Sequence, residues 1–378
     1  MTFLPGSTLG ILGNGQLGRM CAQAAHTMGY QVAVFGPGDA SPAGQVTDLQ
    51  FPHAFDDLDA VRKFAKAVDV VTLEFENIPV ETLNEVSRWA PLRPGSFVLE
   101  TTQHRIKEKT FLKNNGFPVT EFVEINSLEA LETAVTQWNR PAILKTASWG
   151  YDGKGQSTVD PGDNLESIWQ KLETDAAILE AKVDFEHELS IMVARDTNGR
   201  VVCYEPTLNI HKRHILDISR ALNEFNAVTV KDAKAIAQGV VEALDVVGIL
   251  CVELFLTRDG QLLVNELAPR PHNSGHLTID AHVTSQFEQQ ARAACGLPLG
   301  DPSQLHPAIM LNLLGDVWQD STPPWDKILD LPGCHLHLYG KNPAVIGRKM
   351  GHLTVTGKTS GEVESRASQV QALLYPSK

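Results

Sequence analysis

Apolar and polar positions along this chain switch repeatedly between a two-residue and a three-to-four-residue period, so strands and helices alternate. Thr8–Leu12 is a short apolar run with β-branched residues and reads as a strand. A helical pattern runs from the following glycine turn to Met28, Gly29 ends it, and Gln31–Phe35 is the next strand. Leu58–Val68 reads as a helix, Val70–Phe75 as a strand and Val80–Trp89 as an amphipathic helix, with Pro91 to Pro94 as a connector. Further along, helices are expected over Arg105–Asn115, Leu128–Trp138, Leu165–Leu172 and Val230–Val247. Strands are expected over Val119–Val123, Ala142–Lys145, Ala177–Val183 and Leu189–Ala194, the last turning at Asn198-Gly199 into Arg200–Ile210. His211 to Asn226 reads as a polar loop and Val283 to Cys295 as a helix. The last segment shows strands at Ile309–Leu314, His335–Tyr339 and His352–Thr356, then a helix over Gly361–Leu374. The fold class is therefore α/β at the start, with a Rossmann-like βαβ opening over residues 1–103, and α+β in two lobes over 104–300. A β-rich segment follows over 301–378.

One hairpin concentrates the chemistry. Ile249–Leu256 and Gln261–Leu267 flank Asp259-Gly260, a strong hairpin signal because both residues tolerate positive φ. If those two residues form the loop, Arg258 pairs with Gln261 and Glu253 falls opposite Glu266. Two facing carboxylates repel and are costly to desolvate. A divalent cation between them removes both costs. The alternative is a solvated pair in a register one residue different, since a bulge would set Glu253 opposite Asn265. Arg270, His272, Asn273 and His276 follow the second strand as a dense polar run, where ligand sites sit in mixed α/β proteins.

Gly13-Asn14-Gly15-Gln16-Leu17-Gly18 places a G-x-G-x-x-G turn after the first strand, where helix N–H groups favour anions. The acidic residue of a dinucleotide site is missing, because Phe35-Gly36-Pro37-Gly38 occupies the end of the second strand. That favours a phosphate or ribose of some other ligand, with a purely structural turn as the alternative. Glu74, Glu76 and Asn77 cluster at a strand end; Glu76 beside Asn77 suits a sugar hydroxyl or a ligand amine, and solvated carboxylates are the plain alternative.

The stretch Ser148 to Gln156 is a glycine-rich basic loop without the Walker pattern, and suits a flap whose N–H groups cover phosphates. Lys145 ends the strand before it and needs an anion or a partner. Glu180, near a strand end, could accept from an adenine amino group. The basic face of Arg105–Asn115 reads as solvated. Lys341 to Lys349 is a basic loop in an acidic protein, a local reversal of sign that a phosphomonoester site needs. His335 and His337 alternate on one strand face and read as structural rather than metal-binding. Phosphate cover from one lobe and paired carboxylates from the other imply a Mg-nucleotide clamped at their junction.

Bulk properties narrow the class. At 378 residues two or three domains are expected. Net charge is −13, from 45 acidic and 32 basic residues, which argues against nucleic-acid binding. The five cysteines are scattered without metal spacing and fit reduced thiols. No signal peptide and no apolar run of membrane-spanning length is evident, so a cytoplasmic location is expected.

Four motifs in order, GNGQLGRM, GYDGKGQ, NELAPRPHNSGH and GRKMGHLTV, resemble the N5-carboxyaminoimidazole ribonucleotide synthetase family. These are ATP-grasp enzymes that serve as the ATPase component of phosphoribosylaminoimidazole carboxylase. The resemblance covers nearly the whole chain. It implies a pre-ATP-grasp domain, a two-lobed ATP-grasp domain and a small β-rich C-terminal domain. It also implies the reaction: ATP activates bicarbonate as carboxyphosphate, and the amine of 5-aminoimidazole ribonucleotide captures it, or CO2 released from it, to give the N5-carbamate, ADP and phosphate.

By the same resemblance, Arg105 and Lys145 contact ATP phosphates under the flap Gly150, Tyr151, Asp152, Gly153, Lys154, Gly155 and Gln156. Glu180, Ala181, Lys182 and Val183 line the adenine pocket, with the backbones of Ala181 and Val183 reading the base. Glu188 holds the ribose, with His211 beside it. Glu253 and Glu266 hold magnesium with Asn265 close by; two ions are expected, with manganese as a substitute. Lys145, Arg270, His272 and Asn273 carry the chemistry, the last three positioning bicarbonate or carboxyphosphate. Gly15, Gln16, Leu17, Glu76, Tyr151 and Asp152 face the ribonucleotide, whose phosphate Lys341 and Arg348 grip. A homodimer is implied. Trp149 departs from the family's usual glycine. The alternatives are a formate-dependent glycinamide ribonucleotide transformylase, a nucleotide-binding module without turnover, and a dehydrogenase.

Overall fold

The computed structural model describes residues 1–148, 155–319 and 321–375. The chain opens with a parallel sheet in the order Leu49–Phe51, Gln31–Phe35, Thr8–Leu12, Val70–Leu73. The strand order reverses beside Thr8–Leu12, so its carboxyl end and that of Val70–Leu73 open on a switch-point crevice, where α/β sheets bind ligands. One face of this sheet packs on the helix Gln16–Thr27 and on Phe287, Ala291 and Ala294 of the helix Gln286–Cys295. A helix late in the sequence thus shares a core with the first strands, and Gln290 donates from Nε2 to Thr72 Oγ1 in the same contact.

A four-stranded antiparallel sheet follows, ordered Phe122–Ile125, Ala177–Ala181, Ala142–Thr146, Gln156–Val159. The helices Leu128–Trp138 and Leu165–Leu172 pack on it to form one small lobe. Ser127 and Asn164 cap them by accepting backbone N–H groups three residues on, which is why both begin where the sequence places them.

The third sheet has nine strands. Its centre is Phe185–Arg195, with Gly248–Thr257 and Leu262–Ala268 on one side and Thr207–Lys212 and Ile215–Ala221 on the other. Ala308–Leu314, Lys349–Thr356 and Cys334–Leu338 then continue the same sheet, through pairing of Ala308–Leu311 with Ile218–Ala221. The last segment therefore extends the large lobe rather than closing a sheet of its own. The helix Ala227–Ala243 buries Ala233, Ala237, Val240 and Val241 on this sheet.

Several boundaries differ from the sequence reading. His211 to Asn226 is not a polar loop: Thr207–Lys212 and Ile215–Ala221 form a hairpin. Its two loop residues, Arg213 and His214, have φ of 50° and 64°, a conformation usually announced by Asn or Gly. The strand expected at Val119–Val123 lies at Phe122–Ile125, and Val119 makes only an isolated bridge to Val264. The long helix starts at Ala227, because Asn226 accepts from Val228 and Thr229, and it ends at Ala243, because Asp245 is left-handed at φ 50°. The helix expected from Val283 begins at Gln286, after the cap Ser285. Ser96–Thr102 and Trp325–Leu329 are helices that the pattern did not announce. Among the described residues, no helix is long and apolar enough to cross a membrane.

Candidate active site

The three sheets converge on one cleft of about 1040 Å³. Its walls come from both strand ends of the first sheet, from the small lobe through Ile143, Lys145 and Gln156, and from the hairpin and the loop around Lys341.

The hairpin delivers Glu253 opposite Glu266, as expected, but by two offsets that cancel. Thr257 N–H donates to Gln261 at 2.9 Å, so the loop is Arg258-Asp259-Gly260, three residues with Gly260 at φ 82°. That sets Leu254 opposite Val264, one residue from the simple count. A bulge at Asn265 restores the register, and both Asn265 and Glu266 line the cleft. The two carboxylates are not left to repel each other. His272 Nε2 lies 3.0 Å from Glu253 and Arg105 Nη1 lies 3.2 Å from Glu266. Burial alone would raise the Glu253 carboxyl, but contact with His272, and the proximity of His211 and Arg270, outweigh it and hold it at about 2. Glu253 stays ionised, and both carboxylates line the cleft. That donor set, with the amide of Asn265 beside it, fits a hard divalent cation.

The helix Arg105–Asn114 is not a solvated basic face. Its residues at i, i+3 and i+4, Arg105, Glu108 and Lys109, point into the protein, and the last two are 1% and 2% exposed. Lys109 donates to Val264 O at 3.0 Å, and Glu108 accepts from Leu267 N at 3.2 Å, so the helix pins both sides of the bulge. Lys109 also lies 3.5 Å from Glu180, whose other oxygen takes Lys145 at 2.5 Å. Burial would raise the Glu180 carboxyl, and the two lysines hold it at about 2 instead. Glu180 is thus committed behind Lys145, 4% exposed, rather than turned to a base. Neither it nor Ala181, Lys182 and Val183 lines the cleft as described. Ala181 N–H already donates to Glu121 O at 2.9 Å, and Lys182 N–H to Pro141 O at 3.2 Å. His211 and Glu188 are joined at 2.7 Å, and both line the cleft. Apolar walls that the sequence reading passed over are Ile143, Leu216, Phe255 and Ile346.

On the opposite wall, the glycine turn is filled from within. Glu74 accepts from Gly15 N at 2.8 Å and Gly18 N at 3.0 Å. A Cβ at Gly13, whose φ is 105°, would meet Glu74 Cγ at 2.5 Å, so this glycine makes room for the carboxylate. Burial raises the Glu74 carboxyl despite those bonds. Glu76, further along the same strand end, accepts from one edge of the Arg270 guanidinium, from Nε and, at 2.7 Å, from Nη2. This pair ties the first sheet to the run after the hairpin. Gln16 Oε1 accepts from Lys341 Nζ at 2.7 Å, which brings the glycine turn against the C-terminal basic loop. Burial and the neighbouring Arg348 lower the Lys341 ammonium to about 8. Arg348 itself donates to Pro343 O at 3.0 Å and lines the same cleft, as do Gly15, Leu17 and Asn273.

Gln156 and the φ 70° turn at Gly155 are in place beside Lys145. Gly150, Tyr151, Asp152, Gly153 and Lys154, like Trp149, lie outside the described residues. His337 is 2.9 Å from Asp280 and stacks on His352 at 4.5 Å and 13°.

A lysine-bearing antiparallel lobe, set across a cleft from a sheet that carries facing carboxylates, defines an ATP-grasp ligase. Residues 110–287 match the ATP-grasp domain, residues 6–103 the ribonucleotide synthetase preATP-grasp domain, and residues 308–366 the phosphoribosylaminoimidazole carboxylase C-terminal domain. The chain is 43% identical over 350 residues to the N5-carboxyaminoimidazole ribonucleotide synthase of Bacillus subtilis, covering 93% of this chain and 91% of that protein. It superposes with a TM-score of 0.91 on the Aspergillus clavatus synthase in complex with ADP and 5-aminoimidazole ribonucleotide, at 30% identity over 98% of each chain. The Thermus thermophilus synthetase gives 0.90 at 37% identity, covering 98% of this chain and all of the other. The chain belongs to the N5-carboxyaminoimidazole ribonucleotide synthase family.

Proposed function

We propose that this protein carboxylates the exocyclic amine of 5-aminoimidazole ribonucleotide in purine biosynthesis, using ATP and bicarbonate and releasing ADP and phosphate. One observation carries the reading: a single cleft holds both a facing carboxylate pair, Glu253 and Glu266, and a basic loop, Lys341 and Arg348. The first suits a metal-bound polyphosphate and the second a lone phosphomonoester.

The roles of individual residues belong to the same reading. Lys145, held by Glu180, and Arg105, beside Glu266, neutralise the nucleotide phosphates. Glu253 and Glu266 would hold magnesium, two ions or manganese in their place, and the metal would supply charge neutralisation at the transferred phosphoryl group. A bicarbonate oxygen attacks the γ-phosphorus, ADP leaves, and carboxyphosphate forms against Arg270, His272 and Asn273. The amine then forms a bond to the carboxyl carbon while the C–O bond to phosphate breaks, and the amine proton departs to solvent or phosphate. Glu188 and His211 stand for the ribose of ATP, Ala181, Lys182 and Val183 for its base, and the Gly150–Gln156 stretch for phosphate cover. Gly15, Gln16, Leu17 and Glu76, with Tyr151 and Asp152, stand for the ribonucleotide. A homodimer in the cytoplasm is part of the same reading, and light scattering tests the first half of it.

The test is phosphate release with Mg-ATP. Release should require bicarbonate and 5-aminoimidazole ribonucleotide together. Release driven by glycinamide ribonucleotide and formate, or none with any acceptor, would overturn it.

A further inference from the structure

Behind His272 runs a chain of buried side chains that the reaction scheme leaves unused. Ser274 Oγ lies 2.9 Å from His272 Nδ1, and Ser190 Oγ lies 2.7 Å from Ser274 Oγ. Asn209 Nδ2 donates to Ser190 Oγ at 2.9 Å, Thr207 Oγ1 lies 2.9 Å from the same oxygen, and Ser219 Oγ donates to Asn209 Oδ1 at 2.8 Å. Three adjacent strands and the turn Asn273–Gly275 supply these groups. Ser190, Ser219 and Ser274 are at most 1% exposed. A buried polar chain of this kind is costly unless every member is satisfied, so it constrains the orientation of each hydrogen.

Ser274 N–H also approaches His272 Nδ1, at 3.4 Å, a long contact in which an amide can only donate. The shorter partner is the Ser274 hydroxyl, which accepts from Ser190 and so turns its own hydrogen to Nδ1, where the lone pair is held. The ring hydrogen is left on Nε2, which faces Glu253 Oε1 at 3.0 Å, inside the cleft.

We propose that Ser274 and Ser190 are positioning residues that hold His272 as the Nε2–H tautomer, so that it offers a donor to an anionic reactant lying along Arg270–Asn273. The other tautomer would aim a lone pair at that anion and repel it. The role of the donor rests on the reaction proposed above; the tautomer itself does not. A cation held at Glu253 would compete for the oxygen that accepts from Nε2, leaving the same hydrogen for the carboxyl group of the reactant.

The test uses the full chain labelled with 15N-histidine, without substrates, at one neutral pH, with the His272 signal assigned by its loss in His272→Asn. Wild type should show an unprotonated Nδ1 and a protonated Nε2. Ser274→Ala should mix the tautomers, and lower kcat about tenfold with KM for ATP within about twofold, the effect of one lost hydrogen bond. Ser190→Ala, which removes the donor to Ser274 while leaving the turn intact, should do the same to a smaller extent. A protonated Nδ1 in wild type, or tautomers unchanged in both variants, would overturn the proposal. A locked tautomer in a protein that does not turn over 5-aminoimidazole ribonucleotide would support the lock and defeat the reaction assignment instead.

Discussion

The glycine turn at Gly13–Gly18 and the hairpin at Glu253–Glu266 both gather polar groups at strand ends, yet their electrostatic demands are met in opposite ways. In the turn, an internal carboxylate, Glu74, fills the space where a free anion would sit and takes two of the N–H groups. The ligand-facing charge there is supplied by Lys341 and Arg348, from the far end of the chain. In the hairpin, the carboxylates are in contact with His272 and Arg105, which themselves line the cleft. A satisfied motif positions its neighbours; one whose partners face the ligand site is ready for a ligand. Two equally familiar local patterns therefore differ in function because of residues 59 and 56 positions away in one case and 161 in the other.

The largest expected break in this comparison is Glu266→Gln. It should cost at least about a hundredfold in kcat by removing a charge that acts on the transferred phosphoryl group, with unchanged circular dichroism. Unaltered activity and magnesium dependence would remove the hairpin as the metal seat. Next is Arg348→Ala on the turn side. It should raise KM for the ribonucleotide by about tenfold to a hundredfold, the worth of one charge-assisted contact, and leave KM for ATP nearly unchanged. Equal effects on both substrates would mean that the basic loop does not serve the phosphomonoester.

The two buried carboxylates should also differ in the sign of their pH dependence. Glu253 is lowered to about 2, so it contributes stability that is complete above its ordinary value of 4.5 and lost as pH falls toward 2. Glu74 is raised, so it contributes most below 4.5 and progressively less as pH rises through its higher folded value. Denaturant unfolding of Glu253→Gln and Glu74→Gln against wild type, from acid to neutral pH, should give differences of about 1–3 kcal/mol that trend in opposite directions. Parallel trends would mean that Glu74 is a simple surface-like acid. The smallest effect concerns Lys341. With its ammonium near 8, ribonucleotide KM should climb a few-fold as pH passes that value, and Lys341→Arg should flatten the climb.

Element types were largely legible in the chain, because helical and strand periods are local properties. Leu128–Trp138 and Leu165–Leu172 lie within their expected bounds to the residue, each announced by its own cap. The hairpin Thr207–Ala221 was not legible, because Arg213 and His214 take left-handed conformations that their side chains do not advertise. The facing of Glu253 and Glu266 was anticipated by a count that ignored both a third loop residue and a compensating bulge.

At the site, charge-bearing residue types in short motifs pointed to Lys145, the hairpin carboxylates, the run from Arg270 to Asn273 and the loop at Lys341–Arg348, and the cleft brings all of these together. What the residues behind them do stayed hidden: Glu74 fills the glycine turn, Glu108 and Lys109 pin the bulge, Glu180 holds Lys145, and Ser190 and Ser274 stand behind His272. The reason is physical. A motif reports which groups a short segment can present, whereas the protonation, tautomer and availability of those groups depend on desolvation and on partners brought close by sheet pairing. Those partners have no fixed spacing along the chain, so they exist as neighbours only once the three sheets have closed around the cleft.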